Sequence, residues 1–192
     1  MIDTMNRIGA AATEALDLFI AAVEQIPQEN WDRPSNLADW TVRELVGHAT
    51  GSAAKVVTLI EGGKLWNRPS EPADWICADL AARLRELAAR LRDALPHAEL
   101  DAPRPSPDGE APLHRALAFP VADLAMHSWD VHRSQGRSVE LPDDLLAFCR
   151  ALTESIPEEV LRQPGKFGPA QPAPADASPT TLLMTGLGRT AG

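Results

Sequence analysis

The chain has 192 residues, 44% of them apolar, and a formal net charge of -9. That length suits one domain with a buried core. So acidic a chain repels phosphate backbones, which argues against nucleic acid as a partner. Cys77 and Cys149 form no CxxC pair, so neither a disulfide framework nor a zinc ribbon is expected. Both sit among apolar residues and read as small helical hydrophobes. No stretch reaches about 18 consecutive apolar residues, so no membrane span is expected. The start, MIDTMNRIGAAATEAL, lacks the basic-then-apolar pattern of a signal peptide, and the expected location is the cytoplasm.

Met5, Ile8, Ala12, Leu16, Phe19, Val23 and Ile26 recur every three or four residues, which predicts a long first helix ended by Pro27. Thr41 followed by Glu44 three residues on is a capping-box signature. A second helix is therefore expected from there to about Ile60, stopped by Gly62-Gly63. Asp74 is the expected cap of a third helix, with an apolar stripe of Leu80, Leu84, Leu87, Leu91 and Leu95 and a stop at Pro96. Arg83, Arg85, Arg90 and Arg92 alternate with Asp79, Glu86 and Asp93, the pattern of a solvated face. A proline-rich loop with the turn signal Asp108-Gly109 follows. The fourth helix is expected from Pro112 or Leu113 to Gly136, kinked or broken at Pro120. A fifth starts after Pro142, with Asp143 and Asp144 in its first turn, and ends near Ile156-Pro157. Residues 164–179 contain five prolines and cannot be regular helix, so they read as an extended segment across the body or a linker. TTLLMTGL then offers one or two helical turns. Strand signals are scarce. The fold class expected is all-α: a four-helix bundle over residues 1–160, with short C-terminal helices, and a proline-rich tail over 161–192 that packs on the bundle or extends from it.

The residues with chemistry to offer are His48, Asp123 and His127. Residues four apart on a helix are neighbours on one face, so Asp123 and His127 face the same way, and Asp130 lies within about 60° of them. Apolar neighbours place that face near the core, where a carboxylate is costly unless paired or metal-bound. Two ligands from this helix and His48 from a facing one make three, the number typical of a catalytic metal site with open positions. The spacing is equally compatible with a structural His-Asp hydrogen bond. His132 lies about 140° round the helix from His127 and is not expected to share a metal with it. His97 and His114 read as exposed or structural. Trp31, Trp40, Trp66 and Trp75 fall at loop and helix boundaries, where they would pin loops to the bundle or line a pocket mouth. Arg43 and Arg133 are candidate partners for an anionic substrate.

Three blocks carry a family resemblance. They are Trp31-x-x-Pro34 followed by Trp40-Thr41-Val42-Arg43-Glu44-Leu45 and His48, then His127-x-Trp129-Asp130-Val131-His132, and the closing FGPAQPAPADASP with GLGR. The chain resembles, over essentially its whole length, the actinobacterial DinB-like proteins related to mycothiol-dependent maleylpyruvate isomerase. The resemblance implies a DinB-like four-helix bundle that binds a divalent metal, most suitably zinc, with nickel, iron and manganese as alternatives. It implies the ligands His48, Asp123 and His127. The family's usual acid at the middle position is glutamate, and this sequence has the shorter Asp123. Asp130 follows the family's Trp-Asp pattern and is implied as a residue that orients a ligating imidazole or packs the helix. The implied activity is that of a thiol-dependent transferase or isomerase, with mycothiol as cosubstrate and a small electrophile as substrate. A second copy of the chain, as a homodimer, is a further candidate partner, with the oligomeric state left open by the sequence. The alternative is a non-catalytic bundle that binds a metal or small ligand in regulation or stress response.

Overall fold

The computed structural model describes residues 2–64, 70–106 and 109–191, with side chains from residue 7 onward. Trp66, Asp108 and the side chain of Met5 therefore lie outside the described residues. Helix α1 spans Ile2–Glu24, and its stripe of Ile8, Ala12, Leu16, Phe19 and Val23 is buried. Helix α2 spans Val42–Ile60. Its capping box is complete: the Thr41 hydroxyl accepts from the Glu44 amide, and the Glu44 carboxylate accepts from the Thr41 amide at 2.8 Å.

Helix α3 spans Leu80–Ala94. Its N-cap is Asp79, whose carboxylate accepts from the Ala82 amide at 2.8 Å. Asp74, the expected cap, instead closes a single 3-10 turn at Pro72–Asp74. The reason is spatial. Residues 70–76 are folded back on α2, so the chain is not free to begin a helix until Asp79. Cys77 falls in this connection and is exposed, which corrects the expectation of a helical, buried residue. Cys149 is buried as expected, and both thiols are free. The arginines of α3 pair across the surface: Arg83 with Glu86, Arg85 with Glu24, Arg90 with Glu61 and Arg92 with Asp17.

The proline-rich loop forms a short hairpin that strand patterning did not announce. β1 (Pro103–Ser106) pairs antiparallel with β2 (Gly109–Pro112). Prolines are tolerated because a two-stranded ladder consists only of edges. Arg104 Nε donates to the Leu59 carbonyl at 2.9 Å and ties the hairpin to the end of α2.

The fourth helical segment is broken as expected, into α4 (Leu113–Ala116) and α5 (Ala118–Ser134). The break falls at Leu117, one turn before the proline. Pro120 has no N–H to give to Ala116 and clashes with the preceding turn, but it is tolerated in the first turn of a new helix, where amides have no helical partner. Helix α6 spans Asp143–Glu154, α7 Glu158–Leu161 and α8 Pro179–Gly186.

The bundle is a ring in which α5 packs between α1 and α2, and α3 closes the other side between the same two helices. Helix α6 covers the α1–α5 edge. Phe19, Leu16, Leu45, Leu84, Leu124 and Trp129 fill the centre. Phe167, Met184 and Leu187 of the C-terminal segment are also buried. That segment is tied down by hydrogen bonds: Gln171 N to the Thr185 carbonyl at 2.9 Å, and Leu141 N to Thr180 Oγ1 at 3.0 Å.

Candidate metal centre

The site lies where α2 faces α5. Helix α2 brings His48, and α5 brings Asp123 and His127 from successive turns of its inward face. One ligating atom from each of the three lies within 4.8 Å of the others. His48 Nε2 is 3.5 Å from Asp123 Oδ2, and His127 Nε2 is 3.3 Å from Asp123 Oδ1. The two imidazole rings meet edge to face, with centroids 5.1 Å apart.

The other nitrogen of each ring is committed. His48 Nδ1 lies 2.6 Å from the Ser70 carbonyl oxygen, and His127 Nδ1 lies 2.9 Å from Asp130 Oδ2. A carbonyl and a carboxylate only accept, so both Nδ1 atoms carry the hydrogen. In a neutral ring that leaves the lone pair on Nε2. Both Nε2 atoms lie on the Asp123 side, where a neutral ring would offer its lone pair to a metal and a protonated one its hydrogen to the carboxylate.

Glycines make the His48 contact reachable. A Cβ on Gly51 would stand 2.3 Å from Ser70 Cβ and 2.6 Å from Trp75 Nε1, and one on Gly47 would meet Ile76 at 2.8 Å. Only bare backbone at these two turns of α2 lets the 70–76 segment approach closely enough for the Ser70 carbonyl to reach His48. Trp40 lies against His48 from the other side, with centroids 4.6 Å apart.

Asp130 is fully buried and has donors on both oxygens. Asn36 Nδ2 reaches Oδ1 at 2.8 Å. Arg189 forks across the carboxylate, with Nε 3.3 Å from Oδ1 and Nη2 3.2 Å from Oδ2. Burial opposes its charge, but the Arg189 guanidinium and the His127 hydrogen bond outweigh burial and lower its pKa to about 2. Burial likewise opposes a charge on His127, but Asp123 and Asp130 on either side raise its pKa to about 9. Asp123 stays well below the ordinary carboxylate range: burial works against its charge, and the two histidines prevail. Metal-free, the centre is thus an imidazolium between two carboxylates.

Ser52, Arg189, Asn36 and the Ser70 carbonyl were not picked out as site groups from the sequence. Ser52 Oγ donates to Asp123 Oδ2 at 2.6 Å. It sits four residues after His48 on the same helical face, so spacing was a usable signal for it. The other three come from loops and the tail, and no local spacing links them to the site. His132 is not in the cluster. His114 Nδ1 is bound to the Leu100 carbonyl at 3.1 Å, and His97 is exposed in the turn after α3. Arg43 pairs with Asp32 and lies over Trp31, and Arg133 holds the Ala191 carbonyl beside Trp129. Both arginines are thus engaged within the protein.

Fold and site together define an all-α bundle with a His-Asp-His cluster between two facing helices. The family model "Mycothiol maleylpyruvate isomerase N-terminal domain" matches residues 10–132, well over half of the chain, and the protein belongs to that family. Among curated proteins, two sequences from strains of Mycobacterium tuberculosis, named as uncharacterized proteins Rv0738 and MT0763, are each 25% identical over 181 residues. The match covers 94% of this chain and 96% of theirs. Among solved structures, the mycothiol-dependent maleylpyruvate isomerase superposes with a TM-score of 0.62 at 15% identity, covering 78% of this chain and 69% of that one. A histidine-to-alanine mutant of the same enzyme gives 0.61. At that identity the likeness speaks for the fold.

Proposed function

We propose that this protein is a metal-dependent enzyme that uses a low-molecular-weight thiol of the mycothiol type on a small electrophile, as an isomerase or an S-transferase. The observation that carries the reading is the convergence of His48, Asp123 and His127 within 4.8 Å, with both Nδ1 atoms held by acceptors so that both Nε2 atoms face inward. The donor set fits a divalent cation. Two imidazoles and one carboxylate suit zinc, and they also accept nickel, iron or manganese. Three protein ligands leave positions for a thiol. A cation also answers the problem of a carboxylate held inside a bundle. The thiol comes from the family and from the name of the solved relative.

A divalent cation held by His48, Asp123 and His127 would favour the thiolate form of a thiol, which a free thiol with pKa near 8.5 adopts only in small part at neutral pH. The chain's own groups prepare for that. Ser70 and Asp130 hold the two imidazoles in one tautomer and orientation, Ser52 steadies one oxygen of Asp123, and Trp40 covers a face of His48. In the isomerase reading the sulfur adds to one carbon of a double bond conjugated to a carbonyl. The resulting single bond rotates, and expulsion of the same sulfur restores the double bond in the other geometry, with no net change in protons. In the transferase reading the carbon–sulfur bond stays and the adjacent carbon takes up a proton.

The test is elemental analysis of protein purified without added metal or an affinity tag, beside His48→Ala, Asp123→Ala and His127→Ala. Near-stoichiometric metal in the wild type and its loss in the variants is expected. Metal retained in all three would overturn the ligand set. Turnover with a thiol and an electrophile should stop on chelation, and unchanged turnover after confirmed metal removal would overturn the chemistry.

A further inference from the structure

We infer that the C-terminal segment is a working part of the metal centre and that Arg189 is a positioning residue for His127, an inference that rests on the metal reading above. Arg189 lies 59 positions beyond Asp130, and its side chain bonds to Asp130 and the Leu187 carbonyl. Its guanidinium spans both oxygens of Asp130, at 3.3 and 3.2 Å. Asn36 fills a further site on Oδ1 at 2.8 Å. The carboxylate is thereby fixed in plane and rotation, and what Oδ2 has left points at His127 Nδ1, 2.9 Å away. The direction of His127 Nε2 is thus set by a contact made from the tail.

The tail is built to deliver this one side chain. The Arg189 guanidinium lies over the ring of buried Phe167, 5.4 Å from its centroid, and is held between that ring and Asp130. The residue before it, Gly188, has φ +89° and runs against the backbone of Gly168, where a Cβ would stand 2.8 Å away. Arg162 grips the carbonyls of Gly168 and Gly186 on either side of that crossing. Beyond Arg189, the Ala191 carbonyl is held by Arg133 of α5. Anchors thus stand before and after Arg189, and among the described residues its ion pair is with Asp130, the residue that orients His127. Losing a group that orients a ligating imidazole typically costs about 10–100-fold in metal affinity. Arg189 acts one contact further out, which places its effect at the lower end.

The experiment measures zinc affinity by competition with a chromogenic chelator for the wild type, Arg189→Gln and Arg189→Lys. The visible spectrum of each cobalt-loaded protein is recorded as a report on ligand geometry, and circular dichroism checks the fold. Arg189→Gln should bind zinc about tenfold more weakly and show an altered cobalt spectrum. Arg189→Lys keeps the charge but gives up the two-point contact, and should recover less than half of that loss on a logarithmic scale. Wild-type affinity in Arg189→Gln overturns the inference. So does full recovery in Arg189→Lys, which would make charge and not positioning the agent. If Arg189→Gln does not fold, Arg189→Lys carries the test alone, and its wild-type affinity and spectrum would overturn the inference. A wild type that binds neither zinc nor cobalt overturns the metal reading itself, an outcome distinct from the others.

Discussion

His127 is held by a carboxylate on each side, and that arrangement has consequences for proton binding. Its folded pKa of about 9 lies above the ordinary 6.5, with burial outweighed by Asp123 and Asp130. A raised histidine pKa means that the folded state binds the proton more tightly than the unfolded state. The associated stability is therefore fully present below about pH 6.5 and lost as pH rises through about 9. Asp130 works the other way: its pKa of about 2 gives stability present above about 3.8 and lost as pH falls through 2. The metal-free protein should accordingly show a urea midpoint that falls between pH 6.5 and 9. His127→Ala should flatten that slope, and a slope unchanged in the variant would assign it to another group. Asp130→Asn keeps the size of the side chain and removes the charge that faces His127 and Arg189. It is expected to lower zinc affinity by about 10–100-fold, read by chelator competition.

Among the elements, α2 carries the most information for the site. Its capping box satisfies two amides at the N-terminus. Thr41→Ala should cost about 1 kcal/mol in urea unfolding, with little change in metal content, because the cap lies two turns before His48. Gly51→Ala tests the close approach of the 70–76 segment. A methyl there would overlap Ser70 and Trp75, so about 1–3 kcal/mol of destabilisation is expected, together with weaker metal binding, because the Ser70 carbonyl that holds His48 must move. Loss of stability with unaltered metal affinity would show that His48 does not need that carbonyl. The paired charges on α3 are different in kind. The Arg83–Glu86 and Arg85–Glu24 pairs are exposed, and pairs of that sort contribute about 0–1 kcal/mol.

At the scale of the whole molecule, the centre joins segments that are far apart in the chain: α2, the 70–76 segment, α5, Asn36 and the C-terminal tail. A ligand that binds only the folded form stabilises all of them together. Zinc at 100 times its dissociation constant should add about 2.7 kcal/mol to the unfolding free energy. The chelated protein should melt at a lower temperature than the loaded one. Equal melting temperatures, with loading verified, would mean that the metal does not bind the folded state preferentially. Among the described residues no helix is long and apolar enough to cross a membrane.

How much could be read without coordinates divides along physical lines. Patterns with a period of a few residues were readable. The stripes of α1 and α3, the Thr41-Glu44 box, the break near Pro120 and the shared face of Asp123, His127 and Asp130 all follow from helical geometry, which is local. The all-α class followed from these and from the want of alternating strand patterns. Asp74 has the residue type of a cap, and only the fold-back of 70–76 onto Gly47 and Gly51 keeps it from being one. The hairpin at 103–112 was unreadable because prolines hide strand propensity. Cys77 is exposed in the same connection as Asp74, for the same reason. The approach of His48 to Asp123 and His127 is suggested by the ligand count and by the resemblance, but no local rule relates positions 75 residues apart, so the packing of α2 on α5 decides it. The grip of Arg189 on Asp130 belongs wholly to the tertiary structure. Which side chain meets a buried carboxylate depends on where the tail crosses Gly168, and contacts of that range are set by packing of the entire chain.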